Sequence, residues 1–261
     1  MTITPALLLL LLIFLRVLGM IGTAPVISNA QIPVWFKIGF ALFLALIIDS
    51  TLTKQQSFQW SHGLDFPHFI ILALIETLTG IAIGLIANTT FAITQFAGEL
   101  LDQQVGFSIV SLISPGMVSP TGLLSNFYYI VFAVWFLSIN GHYVVVLAIM
   151  QSFQVIPIGH AILFSGSLGK LFLDALIELM TMGLQLAAPV LIALFLTNVS
   201  LAVASKAVTQ INVFSVGLPL TLLIGLLFIG MLLPDIVGSL QSIVLAMEND
   251  LNHLLGVLRS G

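Results

Sequence analysis

The sequence predicts an all-α fold of hydrophobic helices, with about six apparent transmembrane segments. Two observations carry that prediction. The first is composition: the chain is 6% charged and 59% hydrophobic, against roughly 25% and 45–50% in ordinary soluble domains. So few polar residues cannot cover a soluble globule of 261 residues, which all but excludes a water-soluble enzyme. Six basic residues spread along the chain cannot neutralise a row of phosphates, so no nucleic acid is expected as a partner. The excess of Leu, Ile, Val and Phe argues equally against disorder. The second observation is spacing. No charge occurs in the 67 residues between Asp102 and Lys170, the 27 between Glu178 and Lys206, or the 28 between Lys206 and Asp235. A spanning helix needs about 20 mostly apolar residues. The chain contains no cysteine, which removes disulfides, thiolate metal sites and iron–sulfur clusters.

The first apolar segment covers 6–28. No basic residue precedes it and no clean small-x-small site follows, so it is expected to be retained rather than cleaved as a signal peptide. Arg16 lies inside it, in Phe14-Leu15-Arg16-Val17-Leu18. An arginine at a helix centre costs about 2.5–3.5 kcal/mol on insertion scales. It should therefore snorkel, pair with a carboxylate such as Glu76 or Glu99, or face a neighbouring subunit or a wet cavity. The second segment, 34–53, is the weakest, because Lys37 and Asp49 lie within it. In the third, 68–93, Gly80 and Gly84 form a small-xxx-small pattern that points to close helix packing. Beyond it, Glu99 and Asp102 are three apart and would share a helix face. Paired carboxylates can carry protons; the plainer reading is a helix end or a structural ion pair. His62, Asp65 and His68 could be drawn as a metal cluster, but Pro67 among them reads as a loop, and no metal or other cofactor is expected.

The stretch 106–122 is the least ordinary. Gly106, Ser108, Ser111, Ser114-Pro115-Gly116, Ser119-Pro120 and Gly122 break regular structure. Between them stand Phe107, Ile109, Val110, Leu112, Ile113, Met117 and Val118. An irregular backbone cannot face lipid, and water does not welcome so many bare apolar side chains. Inside a protein channel the same segment would make an apolar seal, since hydrophobic constrictions gate by excluding water. An ordinary loop pressed on the bilayer interface is the plainer alternative. The fourth segment, 123–153, is interrupted by Asn140-Gly141-His142, where Asn-Gly marks a turn, so a helical hairpin bending there is expected. His142 could be a ligand or proton carrier, or could simply bond to nearby backbone. Segments at 171–203 and 211–234 complete the six. The tail 235–261 is amphipathic, with Leu240, Val244, Met247, Leu251 and Leu255 at helical spacing. No internal repeat or linker divides the chain, so 1–261 reads as a single integral membrane domain. With six spans, Lys54, Lys170 and Arg259 fall on one side and Lys37 and Lys206 on the other, too even a split to orient the chain.

Catalytic motifs are missing: there is no His-Glu-x-x-His, Gly-x-Ser-x-Gly, Walker loop or dinucleotide fingerprint. Gly106-Phe107-Ser108 superficially matches the Gly-x-Ser of an intramembrane serine protease, with His142 or His160 as base, but nothing places an oxyanion hole. A stand-alone transporter using Glu76, Glu99 and Asp102 as a proton relay is a second class to be weighed.

Several stretches, in order along nearly the whole chain, resemble the FliR family of the flagellar type III secretion export gate. They are Arg16-Val17-Leu18, Thr23-Ala24-Pro25, Gln31-Ile32-Pro33 and Lys37-Ile38-Gly39; Ala97-Gly98-Glu99 with Gln103-Gln104-Val105-Gly106; Ser114-Pro115-Gly116; Asn140-Gly141-His142, Ser152-Phe153 and Pro157-Ile158-Gly159; Ala188-Pro189-Val190-Leu191 with Leu196-Thr197-Asn198; and Ile211-Asn212-Val213-Phe214 with Gly217-Leu218-Pro219-Leu220-Thr221-Leu222. The family tends to carry Met at position 105, Asp at 114 and Pro at 209, where this chain has Val105, Ser114 and Thr209. The injectisome counterpart of the same gate is the nearest alternative. The resemblance implies a fold like a fusion of the FliP and FliQ folds, joined with FliP and FliQ in a helical ring of hairpins. It implies FlhB and FlhA as further partners and unfolded flagellar subunits as cargo, with the inner membrane and the flagellar basal body as location. The assembled ring would sit largely above the membrane plane, which would explain the weak orientation signal. It also implies that 106–122 plugs the channel, with Gly106, Phe107, Ile109, Val110, Leu112, Ile113, Pro115, Gly116, Met117 and Pro120 as plug residues. Arg16, Lys37, Glu99, Asn140, Gly141 and His142 are expected as structural polar residues.

Overall fold

The computed structural model describes residues 5–29, 31–52, 66–106, 122–162, 166–207 and 213–260. Among these residues the chain is all-α, with seven helices: α1 (Pro5–Thr23), α2 (Val34–Leu52), α3 (Phe66–Val105), α4 (Leu123–Ser138), α5 (His142–Val155), α6 (Gly166–Ala207) and α7 (Val213–Ser260). Five of these, namely α1, α2, α3, α6 and α7, are long and apolar enough to cross a membrane. The apolar pair α4 and α5 would form a sixth, broken span.

Three helices outrun the segments expected of them. The third runs on to Val105, and the expected end at 234 and separate tail are one continuous α7. Pro189 lies inside α6, and Pro219 and Pro234 inside α7. Each proline deletes one backbone bond, yet in apolar surroundings helix remains the way to pair the other amides. Pro67, read as a loop residue, instead occupies the first turn of α3, a position that needs no N–H. His62 and Asp65 lie outside the described residues. The predicted break at Asn140-Gly141 separates α4 from α5, and Asn140 adopts φ +59°, a left-handed conformation that asparagine tolerates better than most residues.

The helices form two compact units. One comprises Met1–Thr89, Asn140–Ala175 and Ala246–Gly261. Its α2 buries Ala41, Ala45, Ile48 and Leu52, an i, i+4, i+7, i+11 stripe, and leaves Trp35 and Phe43 exposed. From the end of α7 it takes Met247, Leu251 and Leu255, all buried. Gly80 is a close-approach position: a Cβ there would fall on the Arg16 carbonyl, so α1 and α3 touch backbone to backbone.

That contact seats the buried charge of this unit. Arg16 and Glu76 are both fully buried. Arg16 Nε donates to Glu76 Oε2 and Nη2 donates to Oε1 at 3.1 Å. Arg16 Nη1 donates to Ser152 Oγ at 3.3 Å and to the Ile156 carbonyl at 3.2 Å. The guanidinium lies 4.2 Å over the Phe153 ring, a cation–π contact. Glu76 Oε1 accepts a further bond from the Gly159 amide at 2.7 Å. One ion pair thus ties together α1, α3, α5 and the turn after α5. Arg16 therefore pairs with a carboxylate, and of the two expected candidates the partner is Glu76.

The second unit comprises Thr90–Ile139 and Leu176–Leu245. Its aromatic centre joins α3 to α4, with the Phe91 ring 4.6 Å from that of Phe132 and 5.2 Å from that of Phe136.

Removing one partner of a buried ion pair costs roughly 3–5 kcal/mol, whereas replacing both with packed apolar groups is often neutral. Glu76→Leu should therefore sharply lower the melting temperature of the detergent-purified protein, and adding Arg16→Met should recover most of the loss. Equal melting of Glu76→Leu and wild type would refute this account.

Candidate functional site

The expected plug residues Phe107, Ile109, Val110, Leu112, Ile113, Pro115, Gly116, Met117 and Pro120 lie outside the described residues, as does Ser108. What the structure does describe is the frame from which that segment leaves and to which it returns. The frame belongs wholly to the second unit.

The last four carbonyls of any helix lack intrahelical partners. In α3 these belong to Asp102, Gln103, Gln104 and Val105, and each is accounted for. Gly106 turns to φ +92°, a C-terminal stop that glycine reaches without strain. Its amide donates to the Asp102 and Gln103 carbonyls, both at 3.2 Å. Asn198 of α6 donates from Nδ2 to the Gln104 carbonyl at 3.1 Å. Thr221 of α7 shares its one hydroxyl proton among the carbonyls of Gly217 at 2.9 Å, Leu218 at 3.1 Å and Val105 at 3.4 Å, so the last of these is the most weakly met. Two other helices therefore cap the end of α3.

At the return end, α4 begins after Gly122, which has no side chain to cap with. Asp102 performs that task from α3. Its Oδ1 accepts from the Leu124 amide and its Oδ2 from the Ser125 amide, both at 2.9 Å. A carboxylate at a helix N-terminus also meets the positive end of the helix dipole. A Cβ on Gly122 would fall on this carboxylate, so that glycine makes room for the clamp. Asp102 is 6% exposed, and Ser125 Oγ adds a bond to the Gln95 carbonyl at 3.2 Å. Gly106 and the start of α4 are thus both bonded to one aspartate.

The proton-relay reading loses two of its three carboxylates to these roles: Glu76 is committed to Arg16 and Asp102 to α4. Glu99 is exposed and, among the described residues, makes no ion pair with Arg16. Lys37 donates from Nζ to the Ser28 and Asn29 carbonyls at 2.8 and 3.0 Å, fastening the turn before α2. Asn140 accepts the Tyr143 amide at 2.9 Å, and Gly141 accepts that of Val144 at 3.0 Å. His142 is exposed and stacks on Tyr143, with centroids 4.8 Å apart. No group of three or more His, Asp or Glu suited to a metal ion occurs among the described residues.

Sequence reading placed Asp102 beside Glu99 but missed its partners 22 and 23 residues on. Asn198, beside Thr197, and Thr221 are polar residues in apolar helices, which was the available signal.

Residues 7–247 match the family described as bacterial export proteins, family 1. The chain is similar to the flagellar biosynthetic protein FliR of Bacillus subtilis strain 168, at 32% identity over 252 residues covering 95% of each chain. It is similar to that of Aquifex aeolicus strain VF5, at 31% over 237 residues, 89% of this chain and 88% of the relative. To the Escherichia coli K12 protein of the same name it is 28% identical over 248 residues, 94% of this chain and 91% of the relative.

Alanine in place of a capping residue costs roughly 0.5–2 kcal/mol. Asp102→Ala should accelerate hydrogen exchange at the Leu124 and Ser125 amides and leave exchange around Arg16 unchanged. Unaltered exchange at both amides would show that the clamp does not hold α4.

Proposed function

We propose, from the premise that this chain belongs to the bacterial export proteins of family 1, that it is a gate subunit whose 106–122 segment seals the conduit for exported protein. Relatives named flagellar biosynthetic protein FliR cover nearly the whole chain, so it is a membrane-helix component of flagellar protein export and not an enzyme. Its association with other proteins of the export apparatus follows from that role. The finer reading assigns it to the bacterial inner membrane at the flagellar basal body. FliP and FliQ join it there in a helical ring, FlhB and FlhA dock on that ring, and unfolded flagellar subunits pass through. A fold like a FliP–FliQ fusion belongs to the same reading.

The observation that carries the gate reading is the frame. A segment of apolar residues broken by glycine and proline departs from and returns to one rigid point, where Asp102, Asn198 and Thr221 satisfy the helix ends. Helix ends fixed in this way let the intervening residues rearrange without unravelling α3 or α4. In the closed state Phe107, Ile109, Val110, Leu112, Ile113 and Met117 meet one another and exclude water, and a dry apolar constriction stops hydrated ions. An extended chain displaces these side chains, while Gly106, Pro115, Gly116 and Pro120 supply the bends.

Deleting residues 110–118 should raise ion conductance through the assembled complex while leaving its assembly intact. Wild-type conductance in the deletion, at normal complex yield, would sink the seal.

A further inference from the structure

Exposure along α3 changes chemistry part-way. From 67 to 85 the exposed residues are Ile70, Ile71, Leu74, Leu78 and Leu85, with Pro67 and His68 at the helix start. From 86 to 106 they are Asn88, Glu99 and Gln103; no apolar residue in that stretch is exposed. Within the second unit, Gln95, Glu99 and Gln103 follow at four-residue intervals, which places them in one stripe on the helix surface. Glu99 and Gln103 are exposed and Gln95 is half-buried; Ala92, Phe96 and Leu100 beside them are half-buried, and Phe91, Thr94, Ala97, Leu101 and Val105 on the packed face are buried.

A stripe of two amides and a carboxylate is expensive to place in hydrocarbon, and such groups face a protein interior or a water-filled cavity. The first half of α3 presents the opposite surface, suited to lipid or to an apolar partner. The stripe also leads directly to the frame: Asp102 and Gly106 lie one turn or less beyond Glu99 and Gln103.

We propose that the Gln95–Glu99–Gln103 stripe lines the wet part of the conduit next to the seal and contacts the backbone of the extended polypeptide in transit. This rests on the gate reading above. The chemistry suits that occupant. Amide side chains carry both donors and acceptors and so bond any peptide backbone whatever its sequence. A carboxylate repels acidic side chains and keeps the wall hydrated, so a passing chain does not stick. Long apolar side chains at these positions would bind each hydrophobic segment of the cargo.

The native chain contains no cysteine, so single-cysteine variants report without background. Glu99→Cys and Gln103→Cys are compared with Leu78→Cys, exposed and apolar, and Ala97→Cys, fully buried. The probe is a charged, membrane-impermeant methanethiosulfonate, applied to the assembled export complex in membranes. Only the hydrated thiolate reacts, so positions 99 and 103 should label about ten-fold faster than 78 and 97. An export substrate fused to a domain that cannot unfold, stalled in the complex, should slow that labelling. Labelling at 99 and 103 as slow as at 97, in an intact complex, would overturn the proposal and place the stripe against a partner subunit. Fast labelling that a stalled substrate leaves unchanged would overturn it too, since the stripe would then face water outside the conduit. Conductance of the 110–118 deletion is measured in parallel: a leak there with an unreactive stripe removes this inference alone, whereas no leak removes the gate reading itself.

Discussion

Arg16 and Glu76 are both cut off from solvent, where an unpaired charge is costly. Their pairing organises much of the first unit, because each remaining donor or acceptor must also be met. The Ile156 carbonyl and Ser152 hydroxyl bring α5 to the guanidinium, and the Gly159 amide brings the turn after α5 to Glu76. Gly80 lets α1 come close enough for the fork to close. In a chain with so few charges, this one internal contact links four segments of the unit.

The same demand for satisfied polar groups, applied to backbone rather than side chain, builds the frame in the second unit. The end of α3 and the start of α4 each expose amide or carbonyl groups that no neighbouring residue in sequence can pair. Asp102, Asn198 and Thr221 supply the missing partners from three helices. For the seal proposed above such an anchorage matters, because a rearrangement between Gly106 and Gly122 must not leak into melting of α3 and α4.

The charge distribution acquires a functional sense from this division. Glu76 and Asp102 are structural, and the remaining carboxylate of α3, Glu99, stands exposed in a polar stripe that stops at the frame. The third helix is thus differentiated along its length, apolar on its exposed side at first and polar as it approaches the candidate seal. That gradient matches a subunit that meets hydrocarbon or apolar protein at one level and water at another.

Sequence alone determined the class of fold and marked Arg16 as a charge to be accommodated, because composition and charge-free length are properties of the chain taken one segment at a time. Apolar length located the long helices among the described residues, Asn140-Gly141 located the break between α4 and α5, and the amphipathic spacing of the tail marked residues that are indeed buried. Tertiary structure alone decided that Glu76 rather than Glu99 meets Arg16, that α3 and α7 run on through residues read as their ends, and that Asp102 clamps α4. A buried polar group is satisfied by whichever element packs beside it. For Arg16 that partner lies 60 residues away and for Asn198 it lies 94, distances over which no periodicity carries information.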